Sequence, residues 1–449
     1  MATIPEQNAV DWRPLGLLET YFATRTSIGY YTCVCVWTKL NRPVPKSRLY
    51  PAMHSLIRRN PALGTIILDS KTKSIKFTLT NEIDLDKMIE YRSTNGSFED
   101  FLAELHDIQF TYDTMTPVWK LFVWNENTVA FVYDHAPLDG VSGALFQVQL
   151  ANLLNDQGVA LSADLSPIVK VDQTIKLAPA LESIASTSPP LWFVARKLFT
   201  EFGPKWGPTE RAGHVFAPYV HPVEEITYRV LEIPAERVAV LLNKCRAQNT
   251  TLTALWHTIL VMGMSKAYVG VRGFPTSIPI NARRFMSLPD AANEMGAFVF
   301  QYREVTPARE EFEWDEVIRF ADSLRKGTTT ASGYNLGMLK YLFGNISGWM
   351  EAKIGKVREE AMELSNLGAW KFPGVSGDSS KQNEFVVVDL GFSQPHGTLN
   401  PPICLSCAGV VGGNVTLTLR FSDKIAGSGK GDEVFDLIKR TVDKLSEKY

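Results

Sequence analysis

The sequence has little of what marks the more specialised classes of protein. No run in its 449 residues approaches the roughly 18 uninterrupted apolar residues of a membrane-spanning helix, so no span is expected. Neither sign of charge is in excess: 46 basic residues face 48 acidic ones, a formal charge of −2. That balance leaves no electrostatic footprint for nucleic acid or an anionic membrane, and the partners expected are small and neutral. Cysteine is scarce and odd in number, at Cys33, Cys35, Cys245, Cys404 and Cys407, and no secretory apolar region stands ahead of them. This describes a reduced, cytoplasmic protein rather than a disulfide scaffold. In that setting the N-x-S/T triplets at Asn95, Asn249, Asn345 and Asn414 read as accidental.

Several catalytic signatures are also missing. There is no G-x-S-x-G, so neither "GVSGA" nor "GVSGD" offers a nucleophile elbow. "AGSGKGDE" imitates a phosphate loop, but Lys424 stands where its first glycine belongs and Gly431 where Ser or Thr should follow the lysine, which makes it a turn. "CLSC", Cys404 to Cys407, has redox spacing yet lies in an apolar run without a second pair for zinc, and reads as core cysteine. His54 and His257 lie in apolar helical stretches, and no His-x-x-x-His or carboxylate-flanked pair suggests a metal. No short-period repeat or low-complexity tract is present.

What is present is an alternation of strand and helix patterns, an α/β (α+β) chain. "YYTCVCVWTKL", "GTIILD" and "SIKFTLT" read as strands among the helical "PLGLLETYFATRT" and "PKSRLYPAMHSLIRRNPAL". "WKLFVWNENTVAFVYD" reads as a hairpin turning at Asn125 to Asn127, with a long helix from Ser142 through Leu154 after it. The Pro-, Gly- and Ser-bearing stretch after Asp156 is the least regular. Beyond it the alternation resumes, through "EITYRVLEIP", two helices, "FPTSIPINARRF", "EFVVVDLGF" and a pair of strands joined at Gly412-Gly413. The last stretch repeats Val434, Leu437, Ile438, Val442 and Leu445 at helical spacing, a helix docked on the core. The expected organisation is an N-terminal lobe over 1–180, a crossing linker over 181–222 and a C-terminal lobe over 223–449.

One stretch carries chemistry. In "FVYDHAPLDGVSGALFQ", Phe131 to Gln147, a β-branched apolar run delivers His135 to the rim of a sheet, and Asp139 and Gly140 follow four and five residues on. "APLDG" is built for a tight turn, and Ser142 can cap the next helix. A histidine at such a strand-to-helix corner, with an unperturbed pKa near ~6.5, is suited to general-base work. The same residues also admit a plainer reading, a loop histidine satisfied by hydrogen bonds with Asp139 as a turn and cap residue.

"HAPLDGVSGALF" resembles the HxxxDG signature of the acyl-CoA-dependent acyltransferase superfamily, which takes in chloramphenicol acetyltransferase, the plant BAHD enzymes, nonribosomal peptide condensation domains and fungal alcohol acetyltransferases. "RPLGLLETYFATR", "LIRRNPALGTII", "IPINARRF" with "NEMGAFV", "ELSNLGAW" and "GGNVTLTLRF" match further stretches in the same order, over nearly the whole chain. The BAHD Asp-Phe-Gly-Trp-Gly signature is absent, "DLGFSQ" being a distant echo, so the resemblance is nearest the alcohol acetyltransferase branch.

The resemblance implies two chloramphenicol acetyltransferase-like lobes, each a mixed sheet flanked by helices, with a tunnel between them and His135 midway. It implies His135 as the base that takes the acceptor's proton, Asp139 and Gly140 as the loop's structural residues, and Arg283 of "NARR" as the ion-pair partner of Asp139. Ser365 and Asn366 of "SNLG" become candidate oxyanion donors, though such residues also fix their own backbone. The co-substrate implied is acetyl-CoA or another acyl-CoA, with no bound cofactor and no metal. The acceptor implied is the hydroxyl of a small apolar or natural-product alcohol, and a monomer is expected. "YNLGMLKYLFGNISGWM" suits a tunnel wall, and suits an ordinary buried helix as well. Two other classes remain beside this one: a condensation-type enzyme with a carrier-protein thioester donor or a cyclising activity, and a non-catalytic binding protein on the same scaffold.

Overall fold

The alternating stretches of both halves settle mainly into two mixed β-sheets, beside a three-stranded sheet holding Thr65–Leu68 and Lys76–Leu79 and a two-stranded one, in the computed structural model, which describes residues 13–72, 74–160, 166–202, 215–342, 344–373 and 384–447. Along the chain come α1 (Leu17–Ser27), β1 (Val34–Leu40), β2 (Ile89–Arg92), β3 (Trp119–Trp124), β4 (Thr128–Tyr133), α2 (Gly140–Asn155) and α3 (Leu191–Phe202). The second half contributes β5 (Ile226–Ile233), α4 (Leu252–Ala267), β6 (Gly273–Asn281), β7 (Val299–Pro307), β8 (Met362–Trp370), β9 (Val387–Ser393), β10 (Ile403–Val410), β11 (Val415–Ser422) and α5 (Lys430–Ser446).

The first sheet runs β9-β1-β4-β3-β2 and is covered on both faces. Val34, Val36, Phe131 and Tyr133 point to one side, with Phe146 of α2 stacked on Phe131 at 3.8 Å, while Cys35, Trp37, Phe122 and Val132 pack on the other. Two covered faces explain why β4 is buried at every position, with an apolar run from Val129 to Val132 instead of an alternation with polar residues. Full burial of each large apolar side chain stabilises by about 1.5–3 kcal/mol. One polar residue is built into this layer. Gln147 of α2 donates to the carbonyls of Val36 (2.8 Å) and Val129 (3.0 Å) and accepts from Thr38 (2.9 Å), which ties the helix to β1 and β4. The three-residue β3–β4 turn, Asn125 to Asn127, has Asn125 and Glu126 at φ 45° and 70°, left-handed values that reverse the chain within a short loop.

The second sheet runs β5-β11-β10-β8-β6-β7 and its faces differ. Leu364, Ile403, Leu405, Leu417, Leu419 and Phe421 join α4 and α5 in one apolar core. On the other face the register sets Ser277, Glu363, Cys404, Arg420 and Tyr228 side by side on five adjacent strands, and Ser365, Ser406 and Thr418 in the next row. That polar face looks toward the first sheet: Gln394, just past β9, donates to Glu363 (2.9 Å), and Ala408 and Val410 of β10 join the first sheet's core.

Three features depart from the reading of the sequence. β9 falls within 223–449 yet hydrogen-bonds along β1, Leu390 opposite Thr38 and Phe392 opposite Val36, so the C-terminal half completes the first sheet. The crossing stretch 181–222 carries a short helix at Leu181–Ile184 and then α3, and Leu181 is buried against Ile280, Phe298 and Phe300; "GPKWGPTERAGH" within it lies outside the described residues. Tyr334 to Met350 is no single buried helix but short turns, with Gly344 at φ 79° and Tyr341 exposed, because its glycines interrupt the helical ladder. All five cysteines are free and buried.

Candidate active site

The corner that carries His135 is fixed from both sides. Asp134, at the end of β4, accepts from the backbone of Ala136 (2.7 Å) and from the Tyr112 hydroxyl (3.0 Å), folding the chain into the turn. Burial pushes its carboxyl up to about 6. At the other end Asp139, not Ser142, caps α2: its carboxylate accepts from the Ser142 backbone at 2.8 Å, a geometry open only to the side chain one residue ahead of the helix. Gly140 begins α2 where a Cβ would stand 2.6 Å from Leu367 Cδ2, so the absence of a side chain lets the "SNLG" strand close on the histidine loop.

Asp139 and Arg283, 144 residues apart, meet as a buried bidentate pair at 2.7 and 3.0 Å, 1% and 2% exposed at their side chains. The carboxylate also accepts from the Phe298 backbone (3.0 Å) and the Ser142 hydroxyl (2.8 Å), and Arg283 donates to the Glu294 carbonyl (2.9 Å). Burial alone would raise the Asp139 carboxyl; the guanidinium and the hydrogen bonds outweigh it and hold the group below the ordinary carboxylate range. Satisfying a buried pair so fully is the condition under which it holds two segments together.

His135 itself is half-buried. Its ring packs on Phe22 at 4.1 Å and stands 6.0 Å from Tyr31, and the Arg25 guanidinium lies 4.5 Å from the Phe22 ring and 3.5 Å from the Tyr31 ring. Burial, then Arg25, pushes the imidazole down to about 3, against the opposing pull of Asp139. Nδ1 is buried with no hydrogen bond of ordinary geometry. The corner therefore presents a neutral imidazole, able to accept a proton, in a wall of aromatic rings beside a cation.

The other sequence candidates fare unequally. Ser365 is buried on the polar face of β8, in register with Ser406 and two residues from Glu363. Asn366 points the other way: its Nδ2 donates to Thr253 (2.9 Å) and its Oδ1 accepts from Gly368 (2.7 Å), so it fixes the bulge of β8. Phe22, Arg25, Tyr31 and Asp134 carry no motif signature in the sequence, and Ser142 stands out there only as a helix cap. Phe22 and Arg25 share a face of α1 three residues apart, which was the available signal.

Solved structures place this architecture in the two-lobed acetyltransferase and condensation fold. The trichothecene 15-O-acetyltransferase TRI3 of Fusarium sporotrichioides is similar with a TM-score of 0.70 at 13% identity, over 97% of this chain and 94% of that one. The condensation domain of the monacolin K polyketide synthase MokA is similar with a TM-score of 0.64 at 13% identity, over 98% of both chains. The sequence model of the alcohol acetyltransferase family matches residues 14–442, and the chain belongs to that family. A probable alcohol acetyltransferase, FCK4, of Fusarium pseudograminearum is 21% identical over 92% of this chain and 91% of its own length.

Proposed function

We propose that the protein moves an acetyl group from CoA to the hydroxyl of a small apolar or natural-product alcohol, with His135 as general base and no covalent enzyme intermediate. The acceptor and the thioester meet in a tunnel between the lobes, here taken as 1–180 and 223–449 joined through 181–222, in a cytoplasmic monomer. The observation that carries the reading is the neutral, half-buried imidazole on a loop locked by the Asp139–Arg283 pair. His135 accepts the hydroxyl proton as the oxygen attacks the thioester carbonyl, and the proton then passes to the departing CoA sulfur. A pKa of about 3 makes the free imidazole a weak base. The negative charge developing on the thioester oxygen favours the protonated ring and strengthens the base as the bond forms. Ser365, on the polar face of β8, and Asn366, through the N–H not given to Thr253, are the candidate donors to that oxygen. Membership of the acetyltransferase family supports the acyl donor, and the apolar ring wall of Phe22 and Tyr31 supports an apolar acceptor.

The test is release of free thiol from acetyl-CoA with a panel of medium-chain and polycyclic alcohols, wild type beside His135→Ala. Turnover lost in the variant supports the reading. A folded wild type that releases nothing from acetyl-CoA but reacts with a carrier-protein thioester would replace it with a condensation-type enzyme, which the shared fold also accommodates.

A further inference from the structure

Helix α3 turns its apolar residues outward. At 100° per residue, Leu198, Leu191, Ala195, Phe199 and Trp192 follow one another around the axis within an arc of about 120°. Leu191 is 84% exposed, Phe199 68%, Trp192 63% and Leu198 39%. The rest of the circumference holds the helix to the protein: Val194, next to Leu198, is buried, and Phe193 on the far side packs edge-on against Tyr334 at 5.5 Å. This inverts the arrangement of an ordinary surface helix, whose apolar stripe faces the core.

We propose that this face docks on a lipid bilayer, with α3 lying in the plane of the headgroups and Leu191, Phe199 and Trp192 reaching the acyl boundary. Area favours a bilayer over a protein partner. A helix of 12 residues is about 18 Å long, and a third of its surface offers no more than about 400 Å², half of what each side of a stable protein interface buries. A bilayer sets no such minimum, since its hold scales with the apolar area inserted. The chemistry agrees. The indole N–H of Trp192 is the one side-chain hydrogen-bonding group on the arc, so little is offered for a protein partner's register. It sits at the edge next to exposed Arg196, and a tryptophan beside a cation at the boundary of an apolar stripe matches the headgroup level. Arg196 beside the stripe complements anionic headgroups, so binding rises with anionic lipid although the whole chain carries −2.

The surface stands apart from the acyl-transfer reading and is tested on the full chain by sedimentation with vesicles of phosphatidylcholine, alone or with about one-third phosphatidylserine. The wild type should bind, more strongly with phosphatidylserine. Trp192→Glu combined with Phe199→Glu should weaken binding by about tenfold or more with an unchanged melting temperature, because both side chains lie in solvent. Should the double variant fail to fold, Phe199→Ser carries the same expectation at reduced size. Absence of vesicle binding by the wild type, or equal binding by wild type and variant, overturns the proposal. So does self-association by analytical ultracentrifugation that the variant abolishes while neither protein binds vesicles, which would assign the face to a second copy.

Discussion

His135 and His257 occupy two regions that share an electrostatic property and little else. Burial pushes both imidazoles down to about 3. His257 lies inside α4, 1% exposed, with its ring stacked on Phe320 at 3.5 Å and Nε2 3.4 Å from the Thr306 hydroxyl. His135 lies at a turn between a strand and a helix, half-buried, with no hydrogen bond of ordinary geometry at Nδ1 and a guanidinium nearby. A lowered pKa therefore does not separate a reactive histidine from a packed one. Access to the ring and the rigidity of the backbone behind it do.

The sharpest way to break this contrast is to remove each ring. His135→Ala should lower turnover by about 10²- to 10⁴-fold with little change in melting temperature. His257→Ala should do the reverse, costing about 2–4 kcal/mol in urea unfolding through the cavity beside Phe320 while the folded fraction stays active. Equal losses of activity per folded molecule would erase the distinction. Next in size is the frame behind His135. Asp139→Ala leaves Arg283 buried without its carboxylate and should cost about 3–5 kcal/mol, with activity lost through displacement of the loop. A variant retaining full stability and rate would show that the pair does not hold the corner.

Gly140→Ala probes the same frame more gently. The added methyl meets Leu367 at 2.6 Å and should cost about 1–3 kcal/mol, and Leu367→Ala in the same chain should recover part of it. Absence of that recovery would place the strain elsewhere.

Acidity tests the property the two histidines share. His106, His135 and His257 are each held at about 3 and burial holds His396 well below the ordinary range, whereas an unfolded histidine titrates near ~6.5. Between those values the unfolded chain binds more protons. Stability should thus be complete above about pH 6.5 and fall progressively as pH drops toward 3. Urea midpoints at several pH values measure this, and either alanine variant should make the slope shallower. Turnover per folded molecule should stay nearly flat across the same upper range, because His135 is already neutral; an activity limb near pH 6.5 would show its ring to be better solvated than its packing on Phe22 implies.

Local pattern determined much of this protein. The strand ending at Tyr133, the helix opened by "DG", the hairpin at Asn125 and Glu126 and the closing helix with Val434, Ile438 and Val442 buried all follow from periodicity and turn chemistry acting over a few residues. The order of "HAPLDG", "NARR" and "SNLG" carried the family resemblance for the same reason, being short stretches with their own local geometry. Tertiary structure decided what depends on distant segments. β9 left its own half to pair with β1 because that edge offered unpaired backbone groups and an apolar flank, which no local pattern records. Arg25 reached the histidine through the packing of α1, and Asn366 met Thr253 because α4 covers the face of β8 opposite Ser365. The sequence by itself determined which residues could do chemistry and which elements bear them. Only the three-dimensional packing decided which of them stand together, because burial, register and charge pairing between residues over a hundred positions apart depend on the folded chain as a whole.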